Sequence, residues 1–452
     1  MKIVLFSLAP MEKKEETYIP LKNTFVYRSS SPYNIYLLGA IIEQGGYEIT
    51  IKDWLSETYE LEEMPGELLD FDIIMISSNS WNWHPSRWLI EKLRSLRDDQ
   101  IIVVGGLQAT LFGRKIIEEF PVDYVIRGEG EKSVIPLMKL LEKKGKEDEV
   151  PGLIYKKNGD IIINPVSPLL TPEEIARLPV PLYDRLPAGT CNWLSIESSR
   201  GCVNHCIYCS VPYQKSWRAV KAEDFVKRIE TFMPYLSRVI SGKFLIIDDS
   251  FIIDITRARE IAKILKEKKI EIQAIWNSHV IELFEKEMLI DLAPFTDSIL
   301  IGAESFDEDT LKRIGKKFTP DDIVKGAHSA VNIGLGKKLI FSFIVGFPWQ
   351  NKKSISREID KIYDLVITTG ACAIINWLIL NPGSRLWNEF YAKKKVALRD
   401  YGKLYDDWKK EVFPISREEL QEMNFYISYL QSTIRDGVYR FQQHSGIYDK
   451  IS

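Results

Sequence analysis

Short, almost wholly apolar segments alternate with amphipathic helical patterns along most of this 452-residue chain, and that rhythm restricts its fold more than any other feature. In the first 145 residues, Ile3–Leu8, Glu48–Lys52, Asp72–Ser77, Ile101–Val104 and Val122–Ile126 read as strands bounded by turn residues. Patterns such as Ile35–Gln44 and Pro85–Leu96 read as the helices between them. Strands that are apolar on both faces belong in a parallel sheet covered by helices on both sides. Residues 1–146 are therefore expected to form a Rossmann-like parallel-sheet domain.

Residues 147–192 break the rhythm. Leu153–Tyr155 and Ile161–Ile163 flank Asn158-Gly159-Asp160, a hairpin signal, and six prolines between Pro165 and Pro187 exclude a long regular element. This stretch is expected to be a Pro-rich linker carrying a hairpin. Alternation resumes with Leu194–Glu197, Phe244–Ile247, Ile272–Trp276, Ser298–Ile301, Leu339–Val345 and Ala373–Ile379. Six βα units over residues 193–382 predict a partial (β/α)6 TIM-type barrel, with its chemistry at the carboxyl ends of the strands. Residues 383–452 read as a mostly helical C-terminal region that caps a substrate. The fold class is α/β.

Composition narrows the class of function. With 45% hydrophobic and 27% charged residues the chain is an ordinary globular one. Its 60 basic and 63 acidic residues nearly cancel, so no global field recruits nucleic acid. The apolar start runs straight into Glu12-Lys13-Lys14-Glu15-Glu16 without a small-residue cleavage site, which favours a buried strand over a signal peptide. No uncharged apolar run approaches the roughly 18 residues that span a bilayer. A cytoplasmic protein with no nucleic-acid partner and no membrane span is expected.

Five cysteines, three of them within eight positions, do not make a secreted disulfide framework. They suit a metal or redox site in a reducing compartment. The cluster reads Ser199-Arg200-Gly201-Cys202-Val203-Asn204-His205-Cys206-Ile207-Tyr208-Cys209 and follows the first predicted barrel strand. Three thiolates can ligate three irons of a cubane cluster and leave the fourth open to a substrate or cofactor. Structural zinc competes, but it wants four ligands, and His205 adjoins Cys206 too closely to serve without strain. Free core thiols are the other alternative.

This segment resembles the CxxxCxxC signature of the radical S-adenosylmethionine (SAM) superfamily, including an aromatic residue, Tyr208, before the last cysteine. The resemblance implies a [4Fe–4S] cluster on Cys202, Cys206 and Cys209, with SAM chelating the open iron. Reduction by an external low-potential electron donor then cleaves SAM to methionine and a 5′-deoxyadenosyl radical. Other strand ends fit. Asp248-Asp249 stands where many members carry Gly-Gly-Glu, and either aspartate could accept from the SAM ammonium or simply cap a helix. Asn277 and Ser278 could bond ribose or carboxylate, or make a turn. Gly302-Ala303-Glu304-Ser305 is similar to the family's Gly-x-Glu-Ser segment, which implies that Glu304 faces SAM. Gly346-Phe347-Pro348 and Asn381-Pro382-Gly383-Ser384 are similar to segments at the same positions, with turn roles as the alternative.

Three loops of the first domain share one sheet edge: Ser77-Ser78-Asn79-Ser80, Gly105-Gly106-Leu107-Gln108, and Arg127-Gly128-Glu129-Gly130-Glu131. Glycine there lets a ligand approach the backbone, although each loop taken singly reads equally as a tight βα turn. Together with Leu178-Pro179-Val180-Pro181 they look like the cobalamin-binding half of B12-dependent radical SAM proteins. The resemblance spans roughly residues 1 to 385. It implies cobalamin held by Ser77, Ser78, Asn79, Gly105, Gly106, Gln108, Gly128, Glu129 and Gly130. No Asp-x-His-x-x-Gly occurs and no histidine precedes His84, so cobalamin is expected base-off with no histidine on cobalt. Trp81 or Trp83 could cover that face, with plain packing as the alternative.

Cys191 and Cys372 read as small core residues, and His205, His279, His328 and His444 make no legible relay. The basic run Lys312–Lys317 reads as the solvated end of a helix. The expected activity is that of a cobalamin-dependent radical SAM methyltransferase, methylating an unactivated carbon of a small-molecule or peptide substrate through a 5′-deoxyadenosyl radical and methylcobalamin. A relative that forms rings or rearranges its substrate without net methyl transfer is the alternative among enzymes. An iron–sulfur or cobalamin sensor without turnover is the alternative of another class. A methylthiotransferase would need a second cysteine triad, which is absent from the N-terminal domain.

Overall fold

Parallel pairing dominates both halves of the computed structural model, which describes residues 1–9, 11–14, 17–20, 30–53, 61, 63–211, 216–391, 394, 396–400, 407–408, 410–433 and 441–444. The first half contains β1 (Ile3–Phe6), β2 (Met11–Lys14), β3 (Thr17–Pro20), β4 (Thr50–Lys52), β5 (Ile73–Ser77), β6 (Ile101–Gly105), β7 (Tyr124–Ile126), β8 (Leu153–Lys157) and β9 (Asp160–Ile163). Among the described residues β2 and β3 pair with each other alone; the rest form one sheet in the order β4-β1-β5-β6-β7-β8-β9. From β4 to β7 the neighbours are parallel, and β8 and β9 add antiparallel to that edge. All of β1 and all of β5 are buried, as strands covered on both faces must be.

The predicted hairpin forms, and its strands extend the first sheet. Asn158 and Gly159 turn with φ of 52° and 92°, the left-handed pair that a two-residue hairpin loop demands. That conformation brings β9 back along β8, whose other side is already paired with β7.

The second half contains β10 (Trp193–Ile196), β11 (Ser199–Arg200), β12 (Arg218–Ala219), β13 (Lys243–Ile246), β14 (Ala274–Ser278), β15 (Thr296–Glu304), β16 (Leu339–Val345), β17 (Cys372–Trp377) and β18 (Phe441–His444). β11 and β12 make a small antiparallel ribbon; the others form one all-parallel sheet in the order β10-β13-β14-β15-β16-β17-β18. All six expected barrel strands form, and Phe441–His444 pairs with β17 as a seventh. Phe-Gln-Gln-His lacks the apolar run that marks a buried strand, so only the open edge of β17 reveals its place. Elsewhere the described part of the C-terminal region carries helices, among them Arg385–Tyr391 and Arg417–Ser432. No helix among the described residues is long and apolar enough to cross a membrane.

Candidate functional site

The carboxyl ends of the two sheets border a common cavity of about 540 Å³. Ser77, Gly105, Gly106, Gly128, Glu129, Gly130 and Glu131 enter it from the first sheet; Glu197, Arg200, Gly201 and Asp249 enter from the second. Leu37, Leu38, Met75 and Val134 give it an apolar wall. The two adjacent glycines do different things. A Cβ on Gly105 would meet nothing within 4 Å, so its backbone is open to a ligand, whereas one on Gly106 would lie 2.5 Å from the Ser78 carbonyl oxygen. With φ at 88°, Gly106 starts the helix Leu107–Glu119 in a conformation that suits glycine.

The remaining candidates from this domain do not line the cavity. Ser78 is buried and its Oγ donates to the Asn82 side chain at 3.0 Å. The Asn79 carboxamide oxygen accepts from the Trp81 and Asn82 backbones. Gln108 is fully buried and accepts from Ser80 Oγ at 3.1 Å, while its amide nitrogen finds no partner among the described residues. Trp81 is half-buried beside this loop. Trp83 is a core residue: 2% exposed, it packs edge-on against Phe120 at 5.2 Å.

Beyond β10 the chain makes β11 and then the cysteine loop. Cys206 is buried and Cys202 and Cys209 are half-buried. Neighbouring elements hold the loop: Ile207 N donates to Ile314 O at 3.3 Å, and Leu386 N from the C-terminal region donates to Ile207 O at 2.9 Å. The Tyr208 ring meets Phe347 edge-on at 6.2 Å. Burial pushes the Cys206 thiol up, with Lys316 acting the other way. Among the described residues no three His, Cys, Asp or Glu side chains make a ready-formed metal cage. Three soft sulfurs on one short loop nevertheless fit an iron–sulfur cluster better than closed tetrahedral zinc, which needs a fourth ligand.

Arg200, two residues before Cys202, ties the two domains together. Its Nε reaches Glu197 at 2.7 Å, Nη2 reaches Glu131 at 2.7 Å and Nη1 reaches Glu129 at 3.3 Å. Arg218 of β12 holds both Glu129 oxygens, at 2.9 and 3.2 Å, and Leu170 N donates to the same carboxylate at 2.7 Å. Burial opposes charge on Glu129, but the Arg218 bond, the Leu170 amide and Arg200 together hold its carboxyl below the usual range. One ionic network thus spans the loop after β7 and the approach to the cysteines.

The two aspartates at the end of β13 separate cleanly. Asp248 is buried and accepts from Ser198 N at 2.7 Å, from Ser199 Oγ at 2.7 Å and from Ser198 Oγ. It is spent on shaping the turn into β11. Asp249 accepts from Gly201 N at 3.1 Å and faces the cavity. Burial pushes both carboxyls up. Asn277 donates to the Asp248 carbonyl at 2.9 Å, and Ser278 Oγ donates to Glu282 at 2.6 Å. Glu304 ends β15 at φ 68° and is ion-paired to Lys316 at 3.1 Å. The Tyr208 hydroxyl is pushed well up, by burial first and then by Glu304.

Two residues escaped the sequence reading. Lys316 is not solvated with its basic neighbours; its side chain is 6% exposed. His279 is half-buried and held neutral, its pKa lowered to about 4 by desolvation and then by Lys316. Its Nε2 accepts from the Asn204 amide at 2.9 Å, and Asn204 N lies 3.4 Å from Cys202 Sγ. Only a capping pattern, His279 three residues before Glu282, hinted that this loop is ordered.

The Gly346-Phe347-Pro348 turn has a structural explanation. Gln350 Oε1 accepts from Gly346 N and Phe347 N, and its amide donates to the buried Glu358, which also accepts from Ser305 Oγ at 2.7 Å. Glu358 therefore ties the end of β16 to the end of β15. Burial pushes its carboxyl from the ordinary 4.5 to about 7. The folded chain then binds more protons than the unfolded chain between those values, so this contribution to stability is full below 4.5 and is lost as pH rises through 7. Glu358→Gln is expected to flatten that decline in urea unfolding at the two ends of the window; an unchanged slope would place the titration elsewhere.

Comparison with known proteins agrees with this geometry. The radical SAM superfamily model matches residues 196–362 and the B12 binding domain model matches residues 26–135. An uncharacterized methyltransferase of Pyrococcus horikoshii is 26% identical over 81% of this chain and 80% of its own length. The hopanoid C-3 methylase of Methylococcus capsulatus is 23% identical over 86% of this chain and 73% of its own. Among solved structures, the cobalamin-dependent S-adenosylmethionine radical enzyme OxsB, with aqua-cobalamin and S-adenosylmethionine bound, shares the fold at a TM-score of 0.65 and 21% identity. That match covers 80% of this chain and 52% of OxsB, so the chain spans about half of that protein's length.

Proposed function

Since the chain belongs to the radical SAM enzymes that carry a B12-binding domain, we propose that it is a cobalamin-dependent methyltransferase acting at an unactivated carbon of a small-molecule or peptide substrate. The observation that carries this reading is the shared cavity: the glycine-rich edge of the first sheet and the approach to the cysteine loop open onto one space and share one ionic network. When bound, the cluster and SAM supply a 5′-deoxyadenosyl radical that takes a hydrogen from the substrate, and cobalamin supplies the methyl group.

Cys202, Cys206 and Cys209 would hold the [4Fe–4S] cluster. Asp249, facing the cavity, is the better acceptor for the SAM ammonium, because Asp248 already has three donors. Tyr208, Asn277, Ser278 and Glu304 surround the same strand ends. Gly105 lets a macrocycle approach the backbone, and Ser77, Gly128, Glu129 and Gly130 border its bed. Among the described residues no histidine lines the cavity, in keeping with the expectation of base-off cobalamin without histidine on cobalt. The protein's own work is to place both cofactors and to exclude water. Electrons would come from an external low-potential donor. The helix Arg385–Tyr391, hydrogen-bonded to the cysteine loop, would help close the substrate side.

Anaerobic reconstitution with iron, sulfide and hydroxocobalamin tests the reading. The full chain is expected to retain a corrin absorption spectrum, to release 5′-deoxyadenosine with SAM and titanium(III) citrate, and to move label from methyl-labelled SAM onto the corrin. Nucleoside release without label transfer would favour a ring-forming or rearranging enzyme. Neither corrin nor nucleoside would overturn the proposal.

A further inference from the structure

We propose that Lys316 is the residue that sets the reduction potential of the cluster site: its buried ammonium, clamped on Glu304, fixes the charge facing the cysteine loop. The inference rests on the proposed cluster at Cys202, Cys206 and Cys209 and goes beyond it.

Local geometry forces this lysine inward. The helix Glu308–Ile314 ends at Gly315, which adopts φ 88° as a left-handed cap and reverses the chain. A Cβ on Gly315 would lie 3.4 Å from His205 O, so the turn sits directly on the cysteine loop. Lys312, Arg313 and Lys317 stay exposed, while Lys316 turns inward onto the end of β15. Its Nζ lies 3.1 Å from Glu304 Oε1 and 3.4 Å from Gly302 O. Lys316 and Glu304 side chains are 6% and 10% exposed, so water screens this pair little.

The other groups facing Lys316 do not replace its charge. His279 is neutral, and Glu282 is occupied by Ser278 Oγ and His279 N. Cys206 and Cys202 both lie within reach of its field. A cluster held by thiolates becomes more negative when one electron from the donor takes it from the 2+ to the 1+ state; no bond forms or breaks. A buried cation favours the added electron, and hydrogen bonding and net charge are among the levers that set such potentials. A lysine buried only for stability would be an odd choice, because a buried ion pair is weak evidence of stabilisation.

The test is an EPR-monitored redox titration of the reconstituted full chain without SAM, with iron content measured in parallel. Lys316→Met is expected to make reduction at least tenfold less favourable, about 59 mV for a one-electron couple. Lys316→Arg should stay near the parent. Glu304→Gln should shift the potential the opposite way, and the double variant should return toward the parent. Full iron content with unmoved potentials in Lys316→Met and Glu304→Gln would overturn the inference. Should Lys316→Met lose its iron, Glu304→Gln decides by the same criterion. A parent chain that binds no iron would instead defeat the cluster reading.

Discussion

Replacing Arg200 with methionine should lower the stability of the chain by about 3–5 kcal/mol, because it strands buried carboxylates with no counter-charge. Arg200 is 14% exposed, and Glu129, Glu131 and Glu197 are 5%, 10% and 8% exposed at their side chains. Removing the guanidinium leaves Arg218 with Glu129 and Arg228 at 3.9 Å from Glu197, but Glu131 loses the ion pair that the structure gives it. A fall of that size is a large part of a domain's usual margin of about 5–15 kcal/mol. It corresponds to a drop on the order of 10 °C in the melting transition. Lysine should rescue little, since a single ammonium cannot address three carboxylates in a planar fork. Glu131→Gln in the Arg200→Met background should recover part of the loss by removing one stranded charge. The same variant should loosen corrin binding, because the loop after β7 would lose its tie to the second sheet. Thermal unfolding followed by circular dichroism, and corrin retention followed by absorbance, check both halves. A melting point within a degree or two of the parent would mean that water, and not Arg200, compensates these carboxylates.

The parts of this molecule that could be read from its residues are those where local pattern and global fold agree. β1 and β5 are apolar on both faces, and only the middle of a covered parallel sheet accepts that. The three cysteines were legible because sulfur at such spacing has few other uses. Asp248 and Asp249 were not separable: they are chemically identical and differ only in which side of the strand end each faces. The structure sends one to the Ser198-Ser199 turn and the other to the cavity. Lys316 was lost in a basic run because composition cannot tell which lysine follows a left-handed turn. Gly315 carried the signal, as a glycine just past a helix end reverses the chain. The Arg200 network joins residues up to 89 positions apart through Glu129 and Arg218, and no local pattern encodes such a pairing.

Alanine at Cys202, Cys206 or Cys209 should abolish cluster binding and 5′-deoxyadenosine release while leaving the fold nearly intact. The two effects separate because the thiols contribute little burial. Cys202 and Cys209 are half-buried loop residues, and the 8%-exposed Cys206 loses only one sulfur, worth roughly 1 kcal/mol of apolar contact. The loop itself is held by backbone bonds from Ile207 to Ile314 and from Leu386 to Ile207, which alanine does not touch. Iron bound per reconstituted chain should therefore fall to the background of an unreconstituted control, with the melting transition shifted by a few degrees at most. Corrin retention should survive, since none of the three cysteines lines the cavity at the sheet edge. The contrast with Arg200→Met is the discriminating feature: that change should damage fold and corrin binding together, whereas these should remove the chemistry alone. Iron retained at the parent level in all three variants would mean that the sulfur donors lie elsewhere, and Cys191, 1% exposed in the core, is too enclosed to supply them.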